Sequence, residues 1–261
     1  MFKRTYALDI SKYQHPIDMA KLRQADPPPA IIAHRAAIGS LYRDPFFIAF
    51  ASAVNAAEHS RSAKPLFTAY HVVRPDYPPK EQAINFLKTI AGIPLTFPVV
   101  LDCELDCSRN SREVALCILS IIRLLEDALG YSPIIYSRSN WLQQYFNLPE
   151  AGNFFYWIAY YPAISGASAW EAYTRRPAMP MHINPDRLIL HQMTDRADGT
   201  YFGTASKQID LSFWVYETPP HHFLTAYYPS LPIEKPPGGA DCLPPCLQSL
   251  QVNCPLTNHQ K

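Results

Sequence analysis

Residues 97–107 read Phe-Pro-Val-Val-Leu-Asp-Cys-Glu-Leu-Asp-Cys, an apolar run that stops abruptly in acid. A strand with one solvated face alternates apolar and polar residues, whereas an unbroken apolar run needs cover on both faces. A helix-covered parallel sheet supplies that cover and places the chain in the α/β class. Acids at the end of such a strand fit only if the end opens into a mouth. Side chains alternate along a strand, so Asp102 and Glu104 share a face, with Cβ atoms about 6–7 Å apart and Cys103 opposite. Like charges held close in a partly apolar mouth raise one pKa, which lets a protonated acid and an ionised base coexist near neutrality. That combination suits cleavage of a glycosidic bond. An isolated Asp-x-Glu also occurs as a surface acid pair or a helix cap, so the rest of the chain must decide.

The remaining apolar runs repeat the pattern. Residues 5–11 form a first strand ending in Asp9, followed by Ser11, Tyr13 and Gln14, and residues 30–37 form a second, carrying His34 and ending near Arg35. Asp44-Pro45 then opens a helix, Asp as N-cap and Pro at the first helical position, with Phe46, Phe47, Phe50 and Val54 as its buried stripe. Residues 66–73, with Tyr70 and His71, read as a third strand. Pro78-Pro79 leads into a helix through Ile90, and residues 111–129 form a long helix closed by Gly130 at its C-cap. Residues 132–137 are a fifth strand and 140–146 a short helix. Residues 154–160, 187–193 and 207–213 add three strands with no long amphipathic helix between them. The expected fold is a TIM-like (β/α) barrel, incomplete, with about five β/α units followed by three strands lacking full helices. Chemistry in such barrels sits at the carboxyl ends of the strands, where Asp9, Arg35, Tyr70, Asp102, Glu104, Gln192 and Asp210 all fall.

The 261 residues suit one such domain, and 23 basic against 22 acidic residues give no field for nucleic acid and no polybasic arm for membranes. No run reaches membrane-spanning length, so no membrane insertion is expected. The first residues lack the apolar core and small-residue cleavage site of a signal peptide, which points to synthesis in the cytoplasm. Cys103 and Cys117 read as small buried hydrophobes, and the cysteines lack zinc-site spacing, so neither metal nor cofactor is expected. Composition shifts at residue 217: nine of the last 45 residues are Pro, and periodicity is lost. Residues 1–216 are therefore expected to form the barrel and 217–261 a Pro-rich, Cys-containing tail or linker.

Taken in order, the motifs resemble those of the family 25 glycoside hydrolases, the muramidase lysozymes common among phage endolysins and secreted lysozymes. Residues 7–14 (Ala-Leu-Asp-Ile-Ser-Lys-Tyr-Gln) are similar to the family's opening strand, 69–72 (Ala-Tyr-His-Val) to its Tyr-His strand and 98–104 to its catalytic Asp-x-Glu strand. Trp157-Ile-Ala159, His191-Gln192 and 208–213 echo its last three strands. The resemblance implies Glu104 as general acid. It makes Asp102 either the nucleophile or the carboxylate that orients the substrate's N-acetyl group. Asp9, Asp210, Tyr70, Gln192, Trp157 and Arg35 would bind substrate. It further implies a monomer acting on bacterial peptidoglycan at the β-1,4 bond between N-acetylmuramic acid and N-acetylglucosamine, either released by phage lysis or carried on a virion. Ala7, His191 and Ser212 depart from the family pattern at subsite positions. Two other readings stay open on the residues alone: a glycan-binding barrel without catalysis, and a metal-dependent barrel phosphodiesterase using the four acids.

Overall fold

The computed structural model describes residues 5–56, 64–161, 177–229 and 231. Eight strands close into a barrel: β1 (Tyr6–Ile10), β2 (Ile31–Ile38), β4 (Leu66–Val72), β5 (Val100–Asp102), β6 (Ile134–Arg138), β7 (Tyr156–Ala159), β8 (Leu188–Asp198) and β9 (Gln208–Trp214). β1 through β8 pair in parallel, apart from the short β3 (Tyr42–Arg43), which folds back on the end of β2 outside the barrel. β9 runs antiparallel to both β8 and β1 and closes the ring.

Alternation along the strands sorts the apolar residues into two layers. Ala7, Ile31, Val100, Ile134, Trp157 and Leu190 fill the interior, while Leu8, Ile32, Phe67, Leu101, Ile135 and Ile158 face outward into the helices. Five of those helices follow strands: α1 (Met19–Gln24), α2 (Phe47–Ala56), α3 (Pro79–Ile90), α4 (Ser111–Leu129) and α5 (Ser139–Tyr145). In α4, Asn110 and Glu113 form a capping box, and Gly130 ends the helix at φ 77°. Its Val114, Ile118, Ile121, Ile122 and Leu125 are fully buried, each stabilising the packed state by about 1.5–3 kcal/mol.

The five helical units followed by simpler strands agree with the sequence, and so do the buried, unpaired Cys103 and Cys117. Four features differ. The antiparallel run of β9 is invisible to periodicity, which reads a strand but not its direction. Phe46 is 40% exposed and lies before α2, because the Asp44 carboxylate caps at the Phe46 N–H; its ring stacks on His15 instead, with centroids 4.4 Å apart. α1 and β3 are too short to show a period.

The fourth difference concerns the boundary at 216. Packing continues beyond it: residues Pro220–Tyr227 form a helix, α6, and Phe223, Tyr228 and Leu231 are buried. The Phe223 ring meets Phe155 at 4.8 Å and Trp214 at 5.3 Å between centroids, so α6 plugs the barrel at the end opposite the strands' carboxyl termini. The sequence hides this helix because a single turn of apolar contacts in a Pro-rich context carries no sustained period. Cys242, Cys246 and Cys254 lie outside the described residues. No described helix is long and apolar enough to cross a membrane.

Candidate active site

At the carboxyl end of the barrel lies a cavity of about 240 Å³ whose walls include Asp9, Asp102, Glu104, Asp210, Tyr70, Tyr136 and Arg35. Strand register accounts for the convergence. Asp9 on β1 sits directly across from Asp210 on β9, Val72 on β4 pairs with Asp102, and Asp102 pairs with Tyr136 on β6. Because β9 is antiparallel, its beginning rather than its end reaches the mouth, which is why Asp210 stands level with Asp9. The backbone of Asp102 is held from both sides: its carbonyl accepts from the Val73 N–H at 2.9 Å, and the next N–H, of Cys103, donates to the Tyr136 carbonyl at 2.9 Å.

Four carboxyl groups in so small a space cannot all ionise as free acids do. Burial, then the Asp210 charge, raises the pKa of Asp9, opposed by the Tyr70 hydroxyl bond and the Arg35 guanidinium. Asp102 is raised by burial and then by Glu104 and Asp9, again opposed by Arg35. Its Oδ1 is buried without a hydrogen-bond partner among the described residues, while the residue itself lines the cavity. Burial raises Glu104, and the Arg138 charge opposes it. Asp210 is pushed up to about 6 by burial, with Asp195 and Glu104 adding to the effect and a bond from Gln192 opposing it. The group therefore holds protons at pH values where isolated carboxyls have lost them, while Arg35 favours negative charge on Asp9 and Asp102.

A sequence model of the glycosyl hydrolases family 25 matches residues 8–177. This chain belongs to that family. Among solved structures, it resembles a family 25 glycosyl hydrolase from Bacillus anthracis, with 18% identity, 86% of this chain and 94% of that one covered, and a TM-score of 0.68. It also resembles the bacterial lysozyme of Streptomyces coelicolor, with 17% identity, coverage of 88% and 100%, and a TM-score of 0.67. The CTP1L endolysin gives 20% identity, coverage of 82% and 67%, and a TM-score of 0.63. No curated protein matches in sequence. The chain is thus a glycoside hydrolase, a lysozyme by family.

In this family 25 enzyme the four acids, Tyr70 and Arg35 come together as the sequence suggests, but Arg35 is partly committed. Its guanidinium contacts Asp44 at 2.9 Å, and Asp44 also accepts from the Lys12 N–H at 3.0 Å, tying β2 to the turn after β1. That turn, a capping box between Ser11 and Gln14, supplies Tyr13 to the rim. Trp157 and Gln192 are placed differently from expectation. Each is 1% exposed and lies beneath the cavity floor, so neither presents a face to a sugar. Trp157 Nε1 donates to Ser212 at 2.9 Å, and Gln192 accepts from the Tyr136 hydroxyl while bonding Asp210. They hold Tyr136 and Asp210 in place. Ser212, one of the departures from the family pattern, thereby has a partner, and His191, another, bonds the Tyr160 carbonyl at 2.8 Å.

Sequence reasoning overlooked Tyr136 and Arg138. Both follow from alternation along β6, because Ile134 faces the interior and every second residue shares that face. Beyond Glu104 a larger cleft of about 1130 Å³ opens, walled by Leu105, Arg138, Asn140, Tyr160 and Tyr161. Among the described residues, Glu104 is the one acid common to both spaces.

Proposed function

We propose that this glycoside hydrolase is an N-acetylmuramidase that cuts bacterial peptidoglycan strands at the β-1,4 bond between N-acetylmuramic acid and N-acetylglucosamine, with retention of anomeric configuration. The observation that carries the reading is the position of Glu104 between the two spaces, with Asp102 confined to the inner one. A proton donor must stand beside the oxygen of the bond it breaks. The sugar under attack then occupies the acid-lined cavity, and the leaving sugar occupies the outer cleft.

In the first step Glu104 gives its proton to the glycosidic oxygen as that bond breaks. Asp102, in the wall of the inner cavity, either attacks the anomeric carbon or orients the substrate's N-acetyl oxygen to attack it. Glu104, now ionised, takes a proton from water, whose oxygen attacks the same carbon and displaces the Asp102 carboxylate or the N-acetyl oxygen bound there, restoring the acid. Two inversions give retention by either route. Asp9 and Asp210 accept from sugar hydroxyls, and their charge stabilises the positive character that develops on the ring. Likeness to a lysozyme and an endolysin supports the wall as the site of action. The catalytic unit on this reading is the barrel together with α6, followed by a tail.

The test is the identity of the new reducing end. Purified peptidoglycan is digested, the products are reduced with borohydride, and the sugars are identified by mass spectrometry. Muramitol is the expected product, and glucosaminitol would reject the assignment.

A further inference from the structure

The outer cleft carries one chemical feature that cutting a neutral glycan does not require. Arg138 ends β6 and stands exposed in the cleft wall beside Glu104. One guanidinium nitrogen donates to the Glu104 carbonyl at 3.3 Å, and among the described residues it forms no salt bridge. Arg35, by contrast, is taken up by Asp44. Tyr160 and Tyr161 line the same cleft, 46% and 47% exposed, and such aromatic faces suit a pyranose ring. Tyr160 is held on both sides, since its N–H donates to the Gln192 carbonyl at 3.0 Å and its carbonyl bonds His191.

An anionic glycan approaching this mouth meets the field of the acid cluster and is repelled unless a cation stands nearby. A guanidinium with donors to spare is the side chain best matched to a carboxylate, which it can grip with two parallel bonds. We propose that Arg138 is the carboxylate receptor of the leaving-group cleft, selecting glycan that bears a lactyl carboxylate on the second sugar beyond the scissile bond, the first being N-acetylglucosamine. This rests on the muramidase reading. It adds a specificity residue outside the acid cluster and gives the cleft a preference for acidic over neutral glycan.

The test pairs a change in the protein with a change in the substrate. Glycan strands stripped of stem peptides by an amidase carry free lactyl carboxylates. Half of the preparation is capped as neutral methylamides with carbodiimide and methylamine. Capping should lower wild-type kcat/KM about tenfold, through KM, equivalent to ~1.4 kcal/mol. Arg138→Gln keeps a donor for the Glu104 carbonyl but not the charge. Because the Arg138 charge also acts on Glu104, the variant is read by a ratio: the roughly tenfold wild-type preference for free over capped strands should fall to about one, whatever change in turnover both strands share. Arg138→Lys should recover part of the preference. An equal loss for Arg138→Gln on both strands, or a wild type indifferent to capping, overturns the proposal and leaves the muramidase reading standing. A wild type that cuts neither strand overturns the muramidase reading and this inference with it.

Discussion

Removing the Phe223 side chain tests whether α6 belongs to the folded unit. The ring is 4% exposed and packs edge-on against Phe155 and Trp214 at the closed end of the barrel. Truncating a buried Phe to Ala removes its transfer energy and leaves a cavity, a cost of about 3–5 kcal/mol. Against a total stability on the order of 5–15 kcal/mol, that is a large share. At roughly 2–4 °C per kcal/mol for a chain of this size, Tm should fall by about 6–20 °C in Phe223→Ala. Urea unfolding followed by tryptophan fluorescence reads the loss directly, because Trp214 touches the deleted ring. Activity measured well below the transition should stay within about twofold, since the plug lies at the far end from the acids. A chain ending at residue 216 loses Tyr228 and Leu231 as well and should not fold stably. A loss below about 1 kcal/mol for Phe223→Ala would show that the barrel closes without α6.

Other substitutions probe the mouth. Asp210 is ionised more readily in the unfolded chain than in the cavity, so its ionisation opposes folding; the penalty is absent below about pH 4 and complete above about pH 6. Asp210→Asn should therefore stabilise the protein at pH 7 by roughly 1–3 kcal/mol and bring no gain at pH 3.5, while activity falls; urea midpoints at the two pH values decide it. Removing Arg35 leaves the buried Asp44 carboxylate with only its N–H bonds and no counter-charge, so Arg35→Met should cost up to about 3–5 kcal/mol of unfolding free energy, whereas a surface pair would cost under ~1. Gly39, at φ 53° in the β2–β3 turn, has Tyr77 where a Cβ would come within 2.8 Å. Gly39→Ala should lower stability by about 1–2 kcal/mol, readable as a shift in Tm.

Much of this arrangement is legible because it is local. The run ending in Asp102 announces a doubly covered strand, and alternation predicts Glu104 on the same face; the two acids do share the cavity, although β5 stops at Asp102 and Glu104 lies two residues beyond it. Asn110, Glu113 and Gly130 mark the ends of α4 through hydrogen bonds made within a few residues. What stays hidden is set by distant contacts. The direction of β9 depends on its pairing with β1, and only that pairing places Asp210 opposite Asp9. Trp157 looks like a sugar platform as a residue type, yet the barrel interior needs its volume and Ser212 takes its N–H, so it supports the floor. Arg35 resembles a ligand contact until Asp44, nine residues on, is seen to fold back on it. The family match likewise ends at 177, short of the strands that bring Gln192 and Asp210.

Glu104 as the proton donor is tested most directly by comparing two substrates in one variant. Glu104→Gln keeps the shape of the side chain but has no proton to give, and should lose on the order of 10² to 10⁴ in rate on peptidoglycan. An activated aryl glycoside of the same sugar has a leaving group that departs without protonation. On it, the pre-steady-state release of phenolate by Glu104→Gln should approach the wild-type rate, while Asp102→Asn remains impaired on both substrates. An equal deficit for Glu104→Gln on both substrates would contradict the account and move the acid to another carboxyl of the cluster.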